Sequence, residues 1–237
     1  MKNKNKMIGE KIGNVGSLSA CLLAIAALLL GASPASAQVS LGAASEFTVL
    51  SAAPEVGGAV TFTDATIIGD VGSSGIPAAV VQTGGLLTGV IVAPVSAEVL
   101  ADFHSAYNEL ATAPCDQLFP ATLADITLST GVYCFDAAAT LSGVMTLKGP
   151  SNGIWVFRVG TGTTGALTGT GFSVVLADGA QASNVYWRVA EAVTMTTSNL
   201  KGTVLAGAGI TFTGGTFNGR AMAKAAVTLT GVAASNK

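Results

Sequence analysis

Short runs of the sequence alternate apolar and polar residues, and three of these runs recur at a fixed interval. They read Val-Thr-Met-Thr at 193–196, Ile-Thr-Phe-Thr at 210–213 and Val-Thr-Leu-Thr at 227–230, each beginning 17 residues after the one before. Strict alternation predicts a strand with one buried and one exposed side, and a fixed period predicts a repeat architecture. Looser copies of the same pattern lie at 60–63, 139–142 and 167–170.

A period of 17 residues is the length of one coil of a triangular β-solenoid. Three sides of about five residues, at about 3.3 Å per residue, close a triangle together with its corners. The sequence therefore predicts a mainly β fold of this type. In each run the apolar residues face the interior and both threonines face outward, so stacked coils build a ladder of outward threonines.

One segment, 96–112, has helical rather than strand periodicity. Its apolar residues recur at helical spacing, with a start signal at Ser96 and a stop at Pro114. The apolar residues are Val99, Leu100, Phe103, Tyr107 and Leu110. We expect this helix to lie along a different, more apolar side of the solenoid than the threonine ladder.

Two further expectations concern what covers the solenoid. The segments around Trp187, Val204 and Ala221 are apolar enough to receive the helix. Solenoid ends need a cover, and the stretch rich in Gly, Ser and Ala at about 69–94 is the predicted cap.

Residues 1–37 have the features of a secretory signal. Scattered lysines precede an apolar run at 21–30, and Ser-Pro-Ala-Ser-Ala at 33–37 supplies a small-residue cleavage site. The run is shorter than the roughly 20 residues of a membrane span, and it follows Cys21 rather than preceding it, unlike a lipoprotein signal. We expect a secreted protein, extracellular or periplasmic if the host has an outer membrane, with one folded domain over 38–237.

Export determines how the cysteines are interpreted. Removal of the signal leaves Cys115 and Cys134, an even pair in an oxidising compartment. Metal ligation or a catalytic thiol would need partner residues that the sequence does not supply. We predict a disulfide that ties the end of the helix to the first strand of the following coil.

Charge and histidine content narrow the possible chemistry. Charged residues make up 10% of the chain, against about 25% in ordinary globular proteins. Beyond residue 37 there are seven basic and twelve acidic residues, so the surface is a poor partner for nucleic acid. His104, the single histidine, is expected on the surface of the helix, and no metal site is predicted.

Two other features could carry enzymatic chemistry, and neither has the right context. Gly-Thr-Gly-Thr-Thr-Gly at 160–165 has dinucleotide-binding spacing, but no helical pattern follows it to receive a pyrophosphate. The aspartates are spread out beside Gly or Ala, as turn residues are, although a glycosidase pair could form among them in space. These aspartates are Asp64, Asp70, Asp116, Asp125, Asp136 and Asp178. The sequence predicts no cofactor and no enzyme.

The threonine ladder is the strongest candidate for a binding site. Threonine is a good solvent-facing strand residue, so folding alone is one explanation. Ordinary solvent faces, however, mix Thr with Lys, Glu, Arg and Gln, whereas these rungs are almost purely Thr. Methyl and hydroxyl groups about 4.8 Å apart between coils and about 6.7 Å apart along a strand form an uncharged grid. Such a grid fits a flat, repetitive partner, of which an ordered water lattice is one.

Several stretches in order along the chain resemble the ice-binding (antifreeze) proteins of cold-adapted microbes, a family with a single discontinuous β-solenoid domain. The stretches are Leu-Gly-Ala-Ala-Ser-Glu-Phe-Thr-Val-Leu at 41–50, Ala-Tyr-Asn at 106–108, Leu-Ser-Thr-Gly-Val-Tyr at 128–133, Asn-Val-Tyr-Trp-Arg-Val at 184–189, Lys-Gly-Thr-Val-Leu-Ala at 201–206 and Asn-Gly-Arg-Ala-Met-Ala at 218–223. The resemblance implies a right-handed solenoid with a flanking helix. It also implies that the N-terminal coil stacks beside the C-terminal one, which would place Thr61 and Thr63 next to Thr228 and Thr230.

The resemblance further implies adsorption to an ice surface through one flat face. We also expect a monomer, and no membrane partner, because no segment after the signal is long and apolar enough to span a bilayer. Combined with the repeat, it predicts an ice-binding site made of outward Thr residues. These are Thr61, Thr63, Thr140, Thr168, Thr170, Thr194, Thr196, Thr211, Thr213, Thr228 and Thr230, with Thr66, Asn199 and Thr216 at the border.

Two other classes suit an exported solenoid. A carbohydrate-binding or adhesion module usually presents exposed aromatic platforms, and Trp155, Trp187 and Tyr186 are better explained as core or helix-contact residues. A solenoid lyase or glycosidase would need a carboxylate or basic cluster, which the sequence does not show.

Overall fold

The computed structural model describes residues 39–53 and 57–236, so the predicted signal at 1–37 lies outside the described part. The described part is mainly β with one α-helix. Its strands are β1 Phe47–Ser51, β2 Val60–Thr63, β3 Thr66–Ile68, β4 Asp70–Ser73, β5 Val80–Thr83, β6 Leu86–Thr88, β7 Ile91–Val92, β8 Gln117–Leu118, β9 Thr122–Leu128, β10 Gly131–Phe135, β11 Ala139–Lys148, β12 Trp155–Val159, β13 Leu167–Thr170, β14 Ser173–Ala177, β15 Val185–Val189, β16 Val193–Ala206, β17 Ile210–Ala223, β18 Val227–Thr230 and β19 Ala233–Ser235. The helix, α1, is Ala97–Thr112, and short 3₁₀ turns occur at Gly42–Glu46, Pro77–Ala79 and Ala182–Asn184.

The 17-residue repeat of the sequence corresponds to the register between neighbouring strands, because paired residues of successive coils lie 17 positions apart. Strands β16 and β17 are parallel over their whole length, from Val193 beside Ile210 to Ala206 beside Ala223. Each strand bends twice, at Thr197 and Gly202 in β16 and at the equivalent residues of β17, where φ is positive. One coil of chain therefore contributes three strand segments, and successive coils stack these segments in parallel.

The strands form three parallel stacks. The first stack contains β5, β2, β18, the starts of β17, β16 and β11, β13, and the start of β9. The second stack contains β6, β3, β19, the middles of β17 and β16, β14, and the ends of β11 and β9. The third stack contains β7, β4, β1, the ends of β17 and β16, β15, β12, β10 and β8.

The first and the last strands of the described residues meet within one coil. Strand β1 lies between β17 and β4, so that Val49 is beside both Ala221 and Val71. Strands β18 and β19 complete the other two sides of that coil. The register also places Thr228 beside Thr61 and Thr230 beside Thr63, as the resemblance implied.

Apolar side chains fill two separate cores. The first lies inside the coils, where Trp155 and Trp187 are fully buried and the rings of Phe157 and Trp187 stack with centroids 4.0 Å apart. The second lies between α1 and the outer side of the third stack, where Phe103 packs near Leu205 and Met222. The helix therefore covers the third stack, at the segments expected from the sequence.

The helix is fixed at both ends by polar contacts. The Ser96 hydroxyl accepts a hydrogen bond from the backbone N–H of Val99, which caps the helix N-terminus. At the other end the guanidinium of Arg158 donates to the carbonyls of Ala111 and Ala113. These carbonyls have no partner within the helix, so the buried Arg158 satisfies them and complements the helix dipole.

The predicted disulfide between Cys115 and Cys134 is present. Its place differs from the expectation, because Cys134 lies in β10, the third strand after the helix, rather than in the first. The chain passes through the short β8 and then β9 before it returns to the third stack beside α1. Among the described residues no helix has the length and apolar character needed to cross a membrane.

Candidate functional site

The outer surface of the first stack, here called the Thr face, is an array of eight rungs. Each rung has two outward positions, and thirteen of the sixteen are threonine. In order along the stack the pairs are Val81 and Thr83, Thr61 and Thr63, Thr228 and Thr230, Thr211 and Thr213, Thr194 and Thr196, Thr168 and Thr170, Thr140 and Ser142, and Thr122 and Ala124. All eleven threonines assigned to the ladder from the sequence lie on this one surface.

Alternation along each strand separates the Thr face from the core. Thr211 and Thr213 are exposed, while Phe212 between them is 2% exposed. Leu229 and Leu141 are likewise at most 1% exposed, while their outward neighbours are exposed or half-buried. Each threonine pair therefore flanks an interior position, which an apolar side chain fills in most rungs and Gly169 occupies in the rung of Thr168 and Thr170.

A left-handed residue ends every rung at the same position. The residue after the second outward position has φ between 46° and 68° in all eight coils. These residues are Gly84, Asp64, Gly231, Gly214, Thr197, Gly171, Gly143 and Asp125. Because every rung turns at the same point, the two threonine columns stay in register from one coil to the next.

The Thr face carries no charge at its outward positions, and its hydroxyls are close enough to interact. The Oγ1 atoms of Thr140 and Thr168 are 3.2 Å apart, a hydrogen bond between adjacent rungs. Eight rungs at about 4.8 Å extend over roughly 34 Å. The face can therefore present ordered methyl and hydroxyl groups over a long uncharged surface.

Sequence reasoning missed two threonines at the ends of the array. Thr122 lies beside Thr140 in the last rung, and Thr83 lies beside Thr63 in the first. Each belongs to an incomplete copy of the pattern, with Ala124 or Val81 at the other outward position. Extending the register by one coil in each direction would have found both.

The border residues lie across the left-handed corner. Thr66, Asn199 and Thr216 occupy the first outward position of the second stack, not the Thr face. There the hydroxyl of Thr216 donates to Oδ1 of Asn199 at 2.8 Å, and the amide of Asn199 donates to Ser173 at 3.1 Å. Hydrogen bonds therefore link Thr216, Asn199 and Ser173 along the corner, while Ala233 separates Thr216 from Thr66.

The other two outer surfaces differ from the Thr face. The second stack mixes charged, amide and aliphatic residues outward, including Lys148, Lys201 and the exposed Val144 and Val175. Lys148 also forms an ion pair with Asp178 at 3.4 Å. The third stack is covered by α1. The Thr face alone among the three combines exposure with a single repeated residue type.

Five of the six aspartates that the sequence offers as catalytic candidates have structural partners, Asp178 among them through its ion pair with Lys148. Asp70, Asp116 and Asp125 each accept a hydrogen bond from a backbone N–H of the neighbouring coil, at 2.8 to 2.9 Å. Asp136 accepts from the hydroxyl of Thr161. Within the described residues no three His, Cys, Asp or Glu side chains are grouped as metal ligands would be.

The remaining candidates also have structural roles. The glycine-rich segment 160–165 leads into strand β13, so no helix begins there. His104 lies on α1 beside Phe103, and its pKa is lowered by partial burial and then by the charge of Lys224. Lys224 lies 3.8 Å from the ring centroid of Tyr107, a cation–π contact that fixes the helix to the coil.

Comparison with known proteins identifies a family. The Ice-binding-like family model matches residues 30–234. An ice-binding protein of Nostoc sp. (strain HG1) is 35% identical over 182 residues, which cover 72% of this chain and 63% of the relative. An ice-binding protein of Flavobacterium frigoris (strain PS1) is 30% identical over 191 residues, covering 73% of this chain and 66% of the relative. The chain thus spans just under two thirds of the length of these relatives.

Solved structures agree with the sequence comparison. An ice-binding protein of the Antarctic ascomycete Antarctomyces psychrotrophicus superposes with a TM-score of 0.71 at 32% identity, over 84% of this chain and 98% of that one. One from an Antarctic Flavobacteriaceae bacterium superposes with a TM-score of 0.73 at 32% identity, over 84% of this chain and 47% of the other.

Proposed function

The chain belongs to the Ice-binding-like family, and from this premise we propose that it is a secreted ice-binding protein that adsorbs to ice through the Thr face. It inhibits ice growth and recrystallisation as an antifreeze protein. We choose this site because the strand register aligns thirteen threonines on one uncharged outer surface.

The fold we infer is a right-handed triangular β-solenoid with one flanking helix. Three strand segments per coil and parallel stacking at every step support it. Two arguments support the handedness. The family resemblance implies a right-handed solenoid, and connections between parallel strands are almost always right-handed. Each side of the triangle is then a separate surface. Only the Thr face is both free of α1 and composed largely of one residue type.

The mechanism depends on a preordered surface. The interior residues Phe62, Phe212 and Leu229 are at most 2% exposed and hold the rungs in place. Fixing a backbone residue costs about 1–2 kcal/mol, and in a solenoid this cost is met during folding rather than on binding. The Thr face can then order water into an ice-like layer that merges with the crystal. Growth is confined to curved ice between the bound molecules.

This function requires no covalent chemistry, so the protein is not proposed to be an enzyme. Tyr186 and both tryptophans are buried at 3% exposure or less, which removes the aromatic platforms typical of a sugar-binding module. Export follows from the signal predicted at 1–37 and suits a partner outside the cell.

Replacement of Thr213 by Tyr tests the site. The substitution keeps a residue with high β propensity and leaves the interior Phe212 in place, but it raises a bulky ring above the exposed Thr face. We expect thermal hysteresis and recrystallisation inhibition to fall to a small fraction of the wild-type value, with a melting temperature close to wild type.

Thr146→Tyr provides the matched control. Thr146 is an outward threonine of the second stack, beside Val175, so the same substitution is made on the other face. It should leave ice activity unchanged, as should Arg188→Ala and His104→Ala. Full activity of Thr213→Tyr together with loss in Thr146→Tyr would move the site to the second stack, whereas a wild-type protein without hysteresis would refute ice binding itself.

A further inference from the structure

The two terminal coils of the stack are built differently. Each leaves one edge unpaired, since β5, β6 and β7 each pair with a single strand at one end and β8 and β9 do so at the other. An unpaired edge presents backbone N–H and C=O groups to which another strand can hydrogen-bond. What covers each end therefore decides whether that end can associate.

The end formed by β8 and β9, here called the closed end, has its own cover. The ring of Phe119 packs 5.4 Å from Tyr133 and 6.0 Å from Phe135, over the interior of the last coil. The interior residues Leu123 and Leu128 are only 4% and 5% exposed. Prolines, aspartates and a disulfide also occupy this end, and such features protect an edge against pairing. They are Pro114, Pro120, Asp116, Asp125 and the bond between Cys115 and Cys134.

The other end, here called the open end, comprises residues 76–92 and has no such cover among the described residues. The stretch predicted as a cap, 69–94, instead supplies β4 to β7 and is itself part of the stacked coils, because its strands pair in register with the coil beside them. Its interior residues Val80 and Leu87 are only partly buried, and Gln82 at an interior position is exposed. Five of the eight exposed large hydrophobic residues of the described chain lie here. They are Ile76, Val81, Leu86, Val90 and Ile91, at 69%, 46%, 57%, 57% and 44% exposure.

The terminal coil at this end has no charged residue of its own. Between Asp70 and Glu98 the chain has 27 consecutive residues without a charged side chain. Edge strands of soluble proteins usually carry charges, prolines or covers that prevent pairing, as the closed end does. The open end combines an apolar surface, three unpaired strand edges and a terminal coil without charged residues. The nearest carboxylates belong to the next coil, where Asp70 accepts a hydrogen bond from the backbone N–H of Val90 and Asp64 lies beside Gly84.

We propose that the open end is an interface through which two copies of this chain join end to end as a symmetric dimer. A second open end supplies the same three strand edges at the same spacing, and neither terminal coil carries a charged residue. Because the same surface is used twice, the contact closes after two copies. The closed end, covered by Phe119 and charged at Asp116 and Asp125, does not extend the pair into a filament. This dimer replaces the monomer expected from the sequence.

The size of the end predicts a weak dimer. A triangle with sides of about 17 Å, extended by its side chains, offers on the order of 400–500 Å² per copy, which is at the lower limit for a specific interface. We expect a dissociation constant of roughly 10–100 μM. The interface does not depend on the proposed function, although a twofold axis normal to the Thr face would place both Thr faces in one plane.

Sedimentation velocity of the purified protein over about 1–500 μM tests the interface, a range chosen to bracket the expected dissociation constant. Wild type should shift from one to two chain masses. Leu86→Lys and Ile91→Lys place a charge on exposed positions of β6 and β7, so neither should unfold the protein, and both should weaken association more than about tenfold. Leu118→Lys, at a position 58% exposed on the closed end, is the matched control and should dimerise like wild type.

Three results would overturn the interface. They are a wild-type protein that stays monomeric throughout this range, a dimer that persists in both Lys variants of the open end, and a dimer lost in Leu118→Lys. Assemblies larger than two would also contradict it, because they require the closed end to associate. Thr213→Tyr should dimerise normally, so a failure of the ice-binding site and a failure of the interface are distinguishable.

Discussion

Gly169 and Met195 are register partners at the interior position of adjacent rungs of the Thr face. A Cβ atom on Gly169 would lie 2.6 Å from the Sδ atom of Met195, so the thioether occupies the space that any other residue at 169 would need. The rung that carries Thr168 and Thr170 is thus supported by a side chain from the next coil. This pair makes the packing below the Thr face testable without touching an outward residue.

The effect of Gly169→Ala should change sign with the residue at 195. Alone, the substitution forces Met195 to move and should destabilise the protein by about 1–3 kcal/mol. In a Met195→Ala background, itself destabilised by about 2–5 kcal/mol, the new methyl fills free space and reduces the entropy of the unfolded chain, so it should stabilise by up to about 1 kcal/mol. Urea unfolding of all four proteins measures the coupling. Additive effects would show that Met195 does not fill this space.

The sequence predicted the parts of the Thr face where the repeat is uninterrupted. Thr194, Thr211 and Thr228 stand 17 residues apart because no loop is inserted between their coils, and the register follows from counting. Thr140 and Thr168 are 28 residues apart, because the loops after β11 and β12 lengthen that coil. There the four-residue pattern was recognisable while the period was not.

Other features had no local signal. The pairing of Thr61 with Thr228 joins residues from opposite ends of the chain, and only the family resemblance indicated it. In the terminal coils the alternation weakens, since Gln82 occupies an interior position, and Thr83 was missed for that reason. The difference between the open and closed ends is a tertiary property, because it depends on where Phe119 packs.

Thr197 has the backbone conformation that glycine has in five of the other seven corners. Its φ of 48° is an unusual value for a β-branched residue, and such strain costs about 1–3 kcal/mol. Thr197→Gly should therefore raise the free energy of unfolding by about 1 kcal/mol, net of the added flexibility of glycine. The reciprocal Gly214→Thr, at the equivalent corner with φ of 65°, should lower it by a similar amount. Thermal unfolding of both variants measures these changes in stability. A Thr197→Gly protein less stable than wild type would contradict the strain argument.

The disulfide should contribute to stability without contributing to ice binding. Cys115 and Cys134 are separated by 19 residues, and closing a loop of this length stabilises by about 3 kcal/mol in the chain-entropy model. A double substitution, Cys115→Ser with Cys134→Ala, should lower the melting temperature by about 6–12 °C. Because the bond lies by the third stack, thermal hysteresis near 0 °C should stay at the wild-type value. A variant that melts at the wild-type temperature would refute the stabilising role.

Stability should also depend on pH through His104. Partial burial, and then the positive charge of Lys224, hold the pKa of His104 below its ordinary value in the folded protein. As the pH falls through about 6.5, His104 of the unfolded chain binds a proton before His104 of the folded chain does. The free energy of unfolding therefore decreases toward acid, and the contribution of His104 is fully present above that pH. His104→Gln should remove this part of the loss, and Lys224→Met should reduce it by raising the pKa of His104. Urea unfolding at pH 5 and pH 8, with NMR titration of the imidazole, measures both effects.

Two outcomes would contradict this prediction. A His104 that titrates above its ordinary value would reverse the predicted dependence of stability on pH, and an unchanged dependence in His104→Gln would assign it to other groups.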